Sequence, residues 1–235
     1  MRFLFFILFY FTFILIFAQN DTHVKIGDDS KAKVTEKNEQ QTEEISANEN
    51  TDDDFDAVSF VFQLGAWIPL DELKKTFTIN LNYGLRFGIK IRHNIALQLG
   101  LSLFVPKKSN EFNYLIDSIS YSTKSEQKTN GFIGAWINHY TYSANKKILF
   151  EKYIGIGSAF IQTDIPNPEP KNNGDDYYSV RAVNLNFGIA FNKISRSGNK
   201  WGWFIEYNFA PYYASGSVDT SFGNSNIITG LQFSL

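Results

Sequence analysis

The stretch FTINLNYGLRFGIKI, from Phe77 to Ile91, decides the fold. Its apolar residues occupy every second position, and Thr, Asn, Gly, Arg and Lys fill the positions between them. A side-chain period of two is the pattern of a β-strand with one apolar and one polar face. A strand of this length exceeds the usual strand of a soluble protein and fits one that crosses a membrane at a tilt.

The same alternation recurs along the chain after Ala57 and predicts eight antiparallel strands in succession. The stretch from Asn130 to Tyr142 is apolar on both faces, so its register stays open. The predicted strands are Val58–Ile68, Phe77–Ile91, Ile95–Val105, Asn130–Tyr142, Ile148–Phe160, Val183–Phe191, Trp201–Phe209 and Ile227–Leu235.

Short and long connections alternate between these strands. The predicted long ones are Pro106–Thr129, Gln162–Ser179 and Ala210–Ser225, which are polar and rich in Gly, Asn, Ser and Pro. In an antiparallel meander this alternation places all long loops at one end, as in an up-and-down barrel. Residues 111–121, EFNYLIDSISY, are too apolar for a free loop. They predict either a β-ribbon that extends the third and fourth strands or an extra strand pair in a ten-stranded barrel.

The composition of the two faces indicates which face contacts water. The less apolar face carries Asn, Gln, Ser, Thr, Ala and many Gly, with few charges, whereas an ordinary water-exposed sheet uses Lys, Glu and Thr. The apolar face is aromatic-rich and lacks charge over whole strands, as contact with lipid requires. The sequence therefore predicts an all-β, antiparallel transmembrane β-barrel. A secreted soluble barrel with its apolar face buried is the alternative.

Composition divides the chain into three parts. Residues 1–18 have an early positive charge and a long apolar run, which predicts a cleaved signal peptide. Residues 19–56 are predicted to be a disordered acidic linker, because residues 20–56 hold 12 Asp/Glu against 4 Lys and few apolar side chains. Residues 57–235 form the predicted barrel domain. The chain has no Cys, which excludes disulfides and thiol chemistry, and it is not basic enough to suggest nucleic acid.

The pattern of residues 57–235, including the last strand IITGLQFSL, resembles the small outer-membrane β-barrel domains of Gram-negative bacteria, the OmpA/OmpX-like group. Members of that group usually end on an aromatic residue, whereas here Phe233 lies two residues inside Leu235. The resemblance implies an outer-membrane location with periplasmic termini, surrounding lipid and lipopolysaccharide, and insertion by the barrel-assembly machinery. In size and style the chain is also similar to a PorT-like secretion component.

Four charged residues fall on predicted lumen positions: Arg86, Lys90, Glu151 and Glu206. A charge in a narrow lumen is costly unless it is paired. We therefore expect a cluster of opposite charges that plugs the barrel, and the resemblance implies that such a cluster can act as a gate. Structural neutralisation alone is the simpler interpretation.

Aromatic residues near the predicted strand ends suit the interfacial girdles of a membrane barrel. Contact with a ligand or receptor is the alternative role for some of them. The predicted girdle residues are Trp67, Trp136, Tyr140, Tyr142, Tyr177, Tyr178, Trp201, Tyr212 and Tyr213.

No catalytic residue, metal ligand or cofactor is assigned from the sequence. His139 and Thr141 lie two residues apart with Glu151 further on, which only weakly imitates the His-x-Ser pair of the lipid deacylases. We expect a non-enzymatic barrel with a structural, surface-interaction or small-solute role. One alternative is a component of a secretion or assembly machine that uses residues 20–56 to bind a periplasmic protein, and another is a lipid-modifying enzyme.

Overall fold

The computed structural model describes residues 58–168 and 176–235. In these residues the period-two stretches form strands, ten in number. They are β1 (Val58–Pro69), β2 (Asn80–Arg92), β3 (Ile95–Phe104), β4 (Phe112–Ile116), β5 (Ile119–Thr123), β6 (Asn130–Tyr142), β7 (Ile148–Pro166), β8 (Tyr177–Ile194), β9 (Lys200–Phe209) and β10 (Ser225–Ser234).

Eight of the ten strands in the described part of the chain form one closed antiparallel barrel, in the order β1, β10, β9, β8, β7, β6, β3, β2. The barrel closes where β10 pairs with β1, with Phe233 opposite Phe62 and Ile227 opposite Ile68. This confirms the predicted all-β class, the up-and-down topology and the strand count of eight. The predicted signal peptide and acidic linker lie outside the described residues.

Apolar side chains cover the outside of the barrel. Leu81 and Leu231 expose 53% and 64% of their surface, and Phe87 and Leu99 are likewise exposed. The intervening residues, such as Asn82, point inward and are buried. This arrangement, polar inside and apolar outside, is the one that a transmembrane β-barrel adopts. It confirms the predicted orientation and is the opposite of a soluble barrel.

Short turns and long connections lie at opposite ends, as predicted. The turns after β2, β6 and β8 define one end of the barrel, which we call the turn end. The connections after β1, β3, β7 and β9 define the other end, the loop end. The loop predicted at residues 162–179 was too long at both ends, since β7 runs to Pro166 and β8 begins at Tyr177. These two strands extend the wall beyond their neighbours because Gln162 pairs with Ser179 and Pro166 with Tyr177.

The predicted second strand began three residues too early. Phe77 lies outside β2, is 1% exposed, and forms an isolated bridge with Ser109. A one-turn helix, Leu73–Thr76, precedes it and buries Leu73. Phe77 therefore packs inward at the loop end, although its position in the alternating pattern predicts an outward side chain.

Residues 111–121 form most of a β-hairpin in which β4 pairs with β5, separate from the barrel sheet. Its turn residues Asp117 and Ser118 both have positive φ, 49° and 68°. Positive φ at both central residues is the geometry of a type I′ turn, which matches the twist of paired strands. The hairpin confirms the predicted β-ribbon between the third and fourth barrel strands, although its sheet is separate from that of the barrel. The ten-stranded alternative was wrong, because the hairpin adds no strand to the barrel.

No helix in residues 58–168 and 176–235 has both the length and the apolar character needed to span a membrane.

Barrel closure depends on a close approach of two backbones at the β1–β10 seam. Gly65 lies opposite Gly230, and a Cβ on Gly230 would lie 2.2 Å from the carbonyl oxygen of Leu64 and 2.3 Å from the Cα of Gly65. Any side chain at position 230 therefore forces the two strands apart. Loss of this pairing would open the sheet and leave two unpaired edges.

We expect Gly230→Val to prevent closure, because the valine overlaps the backbone of β1. The matched control is Leu231→Val, which puts the same residue at the next, outward-facing position. Circular dichroism and heat-modifiable gel mobility of the purified proteins measure the folded fraction. The seam argument fails if Gly230→Val folds as well as the control.

Candidate functional site

The lumen contains a buried ion pair. Arg86 on β2 and Glu206 on β9 expose 3% and 1% of their side chains, and the Arg86 Nη2 donates to Glu206 Oε2. Asn186 Nδ2 lies 3.4 Å from the other carboxylate oxygen of Glu206 and donates to it. Two of the four predicted lumen charges thus neutralise each other across the barrel.

Two aromatic rings enclose the guanidinium of Arg86. Its Cζ lies 4.0 Å from the ring centroid of Trp136 and 4.7 Å from that of Tyr153. A cation over an aromatic face is attracted by the ring quadrupole, most strongly where water is excluded. The ion pair and the two rings are all buried in the lumen, and each residue exposes 3% or less of its surface.

Glycines make room for these rings. Gly155 lies opposite Trp136 and Gly188 lies opposite Tyr153 in the strand register. The Tyr153 ring covers Gly188, since a Cβ there would lie 2.2 Å from the ring. At these two positions a large side chain is accommodated because its cross-strand neighbour has none.

Glu151 lies nearer the turn end in a separate polar group. Amide side chains surround its carboxylate: Asn138 donates to Oε1, while Gln232 and Asn192 donate to Oε2 at 3.1 and 3.4 Å. Amide donors stabilise a buried carboxylate, although less than a cation does. Lys90, the fourth predicted lumen charge, is half-buried on the same face of β2 as Arg86, four residues closer to the turn end.

Asparagines line a small chamber on the loop side of the ion pair. The chamber has a volume of about 20 Å³, enough for one water molecule. Four of its lining amides have an unpartnered atom: the Nδ2 of Asn82 and Asn208, and the Oδ1 of Asn184 and Asn226. Two donors and two acceptors are the set that a single water molecule satisfies.

An aromatic cap covers this chamber. Trp67 stacks on Phe104 with ring centroids 4.1 Å apart, and Phe222 lies 4.8 Å from Phe112 and 5.6 Å from Tyr212. Burial raises the pKa of the Tyr212 hydroxyl, which therefore stays protonated at neutral pH. We define the aromatic cap as Trp67, Phe77, Phe104, Phe112, Tyr212 and Phe222.

The aromatic cap and a set of backbone hydrogen bonds join three loop-end connections into one layer. Backbone hydrogen bonds join Leu70 N to Ser225 O at 2.9 Å, Asn110 N to Thr76 O at 2.8 Å, and Leu115 N to Ser217 O at 2.8 Å. These bonds link the ends of β1 and β10, the first two loops, and the hairpin with the last loop. The loop end is therefore a packed surface continuous with the lumen filling.

The girdle prediction was wrong for four aromatic residues. Trp67, Trp136, Tyr140 and Tyr212 expose at most 9% of their surface and lie inside the barrel or its cap. They were placed outside because proximity to a strand end cannot show which way a side chain points. A better signal was present in the parity of β6, where Phe132, Trp136 and Tyr140 share the face of Asn138.

The other girdle residues divide by exposure. Trp201 and Tyr213 are exposed, on the outer wall near the turn end and on the loop-end surface respectively. Tyr142, Tyr177 and Tyr178 are half-buried. Their role at a membrane interface stays a prediction.

The structure does not bring together the residues of the enzyme alternative. In the β6–β7 register Tyr140 pairs with Glu151 and His139 pairs with Lys152. Glu151 points into the lumen, so His139, on the other face of β6, points outward. The Nε2 atom of the His139 ring lies 3.2 Å from the Nδ2 atom of Asn94. Within residues 58–168 and 176–235 no group of His, Asp and Glu has the arrangement of a metal site.

The fold and the filled lumen define a small, closed transmembrane β-barrel. The chain is structurally similar to the N-terminal β-barrel domain of Pseudomonas aeruginosa OprF, with a TM-score of 0.41 and 9% sequence identity over 76% of this chain and 98% of that domain. No protein-family model matches the chain, and no curated protein matches it either.

Removal of one charge from the lumen pair should leave the other buried and uncompensated. We expect Arg86→Ala or Glu206→Ala to lower the free energy of unfolding by about 3–5 kcal/mol. The double variant Arg86→Met/Glu206→Met should lose less than the two alanine variants combined, because it buries no charge. Urea titration in lipid vesicles measures these values.

Arg92→Ala is the matched control, since Arg92 is exposed at the turn end of the same strand. An Arg86→Ala protein as stable as Arg92→Ala would show that the lumen pair contributes nothing to folding.

Proposed function

We propose that this protein is a non-enzymatic barrel of a bacterial outer membrane, closed to solutes, whose role is to hold and present its loop-end surface. The observation that carries the proposal is the combination of an apolar outer wall with a lumen that holds buried charged and aromatic side chains. The wall supplies lipid contact, and the ion pair of Arg86 and Glu206 with its two rings occupies the space that a pore would need.

The filled lumen argues against the small-solute role. Trp136, Tyr153 and Phe204 are each 1% exposed, and the aromatic cap covers the loop end above them. A solute would have to displace packed side chains and break the ion pair. That displacement costs the burial of several aromatic side chains, about 1.5–3 kcal/mol each.

The loop end supports a surface-interaction role. A groove of about 370 Å³ lies between the first loop, the hairpin and the last loop, beside Lys75, Glu111 and Asp219. A second groove, of about 510 Å³, lies between β5 and the end of β7, beside Lys124 and Asp164. Grooves with charges of both signs on a rigid layer offer specific contacts to a protein or glycan.

The machinery alternative depends on residues 20–56, which lie outside the described residues. The lipid-modifying alternative loses its site residues, because His139 and Glu151 occupy opposite faces of the wall. Both stay hypotheses of lower rank than a closed surface barrel.

Lipid contact is tested by a charge on the outer wall. Leu85 lies in the middle of β2 and points outward. We expect Leu85→Arg to destabilise the membrane-inserted protein by about 2–4 kcal/mol, the cost of Arg near the bilayer midplane. Unfolding by guanidinium in vesicles measures the change.

Ile119→Arg is the matched control, because Ile119 is also exposed but lies in the hairpin outside the barrel wall. Equal stabilities of the two variants would contradict the assignment of the outer wall to lipid.

Closure to solutes is tested by conductance. We call Arg86, Glu206, Trp136 and Tyr153 the plug. We expect the wild-type protein to show no sustained channel in planar bilayers, because the plug and the aromatic cap occlude the lumen. A variant without the plug, Arg86→Ala/Trp136→Ala/Tyr153→Ala, should conduct if it folds, which circular dichroism establishes beforehand. Sustained wild-type channels would overturn the closed-barrel proposal.

A further inference from the structure

The three short turns of the turn end carry charge of one sign. Its three turn segments, 90–95, 141–149 and 192–201, contain seven Lys or Arg residues and no Asp or Glu. Five of these cations are exposed, and the other two, Lys90 and Lys200, are half-buried. The seven are Lys90, Arg92, Lys146, Lys147, Lys193, Arg196 and Lys200.

The loop end has no such bias. Its first connection, residues 70–79, holds two acidic and two basic side chains, and residues 105–129 hold three acidic and four basic ones. The last connection, residues 210–224, contributes Asp219. The asymmetry therefore belongs to the turn end and is not a general feature of the barrel's polar rims.

One turn-end cation lies directly at the edge of the apolar outer wall. Lys193 lies opposite Trp201 in the β8–β9 register, on the same outward face as Phe191. Its Nζ lies 5.7 Å from the Trp201 ring centroid. An exposed Trp beside a Lys at the edge of an apolar wall is the arrangement of a membrane interface, where the ring sits among headgroups and the amine reaches a phosphate.

The exposed turn residues extend this arrangement around the rim. Lys147 and Arg196 lie in the turns on either side of the β7–β8 pair, so with Lys193 they form one cluster on adjacent strands. Arg92 adds a further cation at the end of β2.

We propose that the turn end binds the headgroups of anionic phospholipids in the leaflet that surrounds it. The inference rests on the proposed membrane location. The occupant is a lipid because the cluster begins on the outward wall, at the boundary of the apolar surface, where a bilayer supplies phosphates at the height of Lys193. An acidic protein docked beneath the barrel would use the turns but not the wall.

The test compares lipid selectivity in two variants of equal charge. The turn-end variant is Lys147→Gln/Lys193→Gln/Arg196→Gln, and the matched control is Lys74→Gln/Lys107→Gln/Lys108→Gln at the loop end. The full chain is reconstituted in phosphatidylcholine vesicles that contain spin-labelled phosphatidylglycerol or spin-labelled phosphatidylcholine. Electron spin resonance then gives the relative association of the two lipids with the barrel.

We expect the wild type to prefer phosphatidylglycerol by about fivefold at low salt, the effect of roughly one cation near a phosphate plane, and to lose most of this preference in 0.5 M salt. The turn-end variant should lose the preference and the loop-end control should keep it. Equal association of both lipids with the wild type, or an equal loss in both variants, would overturn the proposal.

Two further outcomes are distinguishable. If no variant floats with vesicles of either composition, the membrane location itself is wrong. If the inserted wild type shows no lipid preference but binds soluble polyaspartate through the turn end, the basic face serves an acidic polypeptide and the lipid inference is wrong.

Discussion

The buried contact between Arg86 and Glu206 is the constraint on which the rest of the interior depends. A lone guanidinium in a narrow lumen would cost several kcal/mol, so the two strands that carry the pair must meet at one height across the barrel. That height fixes the positions of Trp136 and Tyr153, which enclose the guanidinium, and of Asn186, which donates to Glu206. The asparagine chamber and the aromatic cap complete the filling toward the loop end.

Wall and interior impose opposite requirements on each strand. Outward residues must be apolar because lipid offers no hydrogen bonds, and inward residues must combine polar pairing with a volume that fits the cross-section. The chain meets the second requirement by placing large rings opposite glycines, as Trp136 lies opposite Gly155 and Tyr153 opposite Gly188. Gly155 and Gly188 are therefore complementary in shape to these two rings.

The alternation of side chains predicted most of the fold, because period two is a local property that the backbone enforces. It identified the eight barrel strands, the outward face and the lumen positions of Arg86, Glu151 and Glu206. It failed where tertiary contacts determine the direction of a side chain. Phe77 continues the alternation of β2 yet packs into the aromatic cap, and Trp136 points inward from β6, which is apolar on both faces. The sequence also could not predict the partner of each lumen charge, because the pairing of Arg86 with Glu206 depends on the shear of the barrel and the tilt of its strands. Trp136 lies two residues from Asn138 and so shares its face of β6, which would have predicted that the Trp136 side chain points into the lumen.

The two ends of the barrel differ in a way that bears on function. At the loop end, backbone hydrogen bonds and stacked rings join segments far apart in sequence into one packed layer with charges of both signs. At the turn end, short turns carry cations and no acidic residue in the segments that define it. Rigidity lowers the entropic cost of binding a specific partner, whereas a set of like charges on flexible side chains suits a diffuse anionic surface. On the proposed function, the loop end therefore serves recognition, and the turn end serves to position the barrel in the membrane.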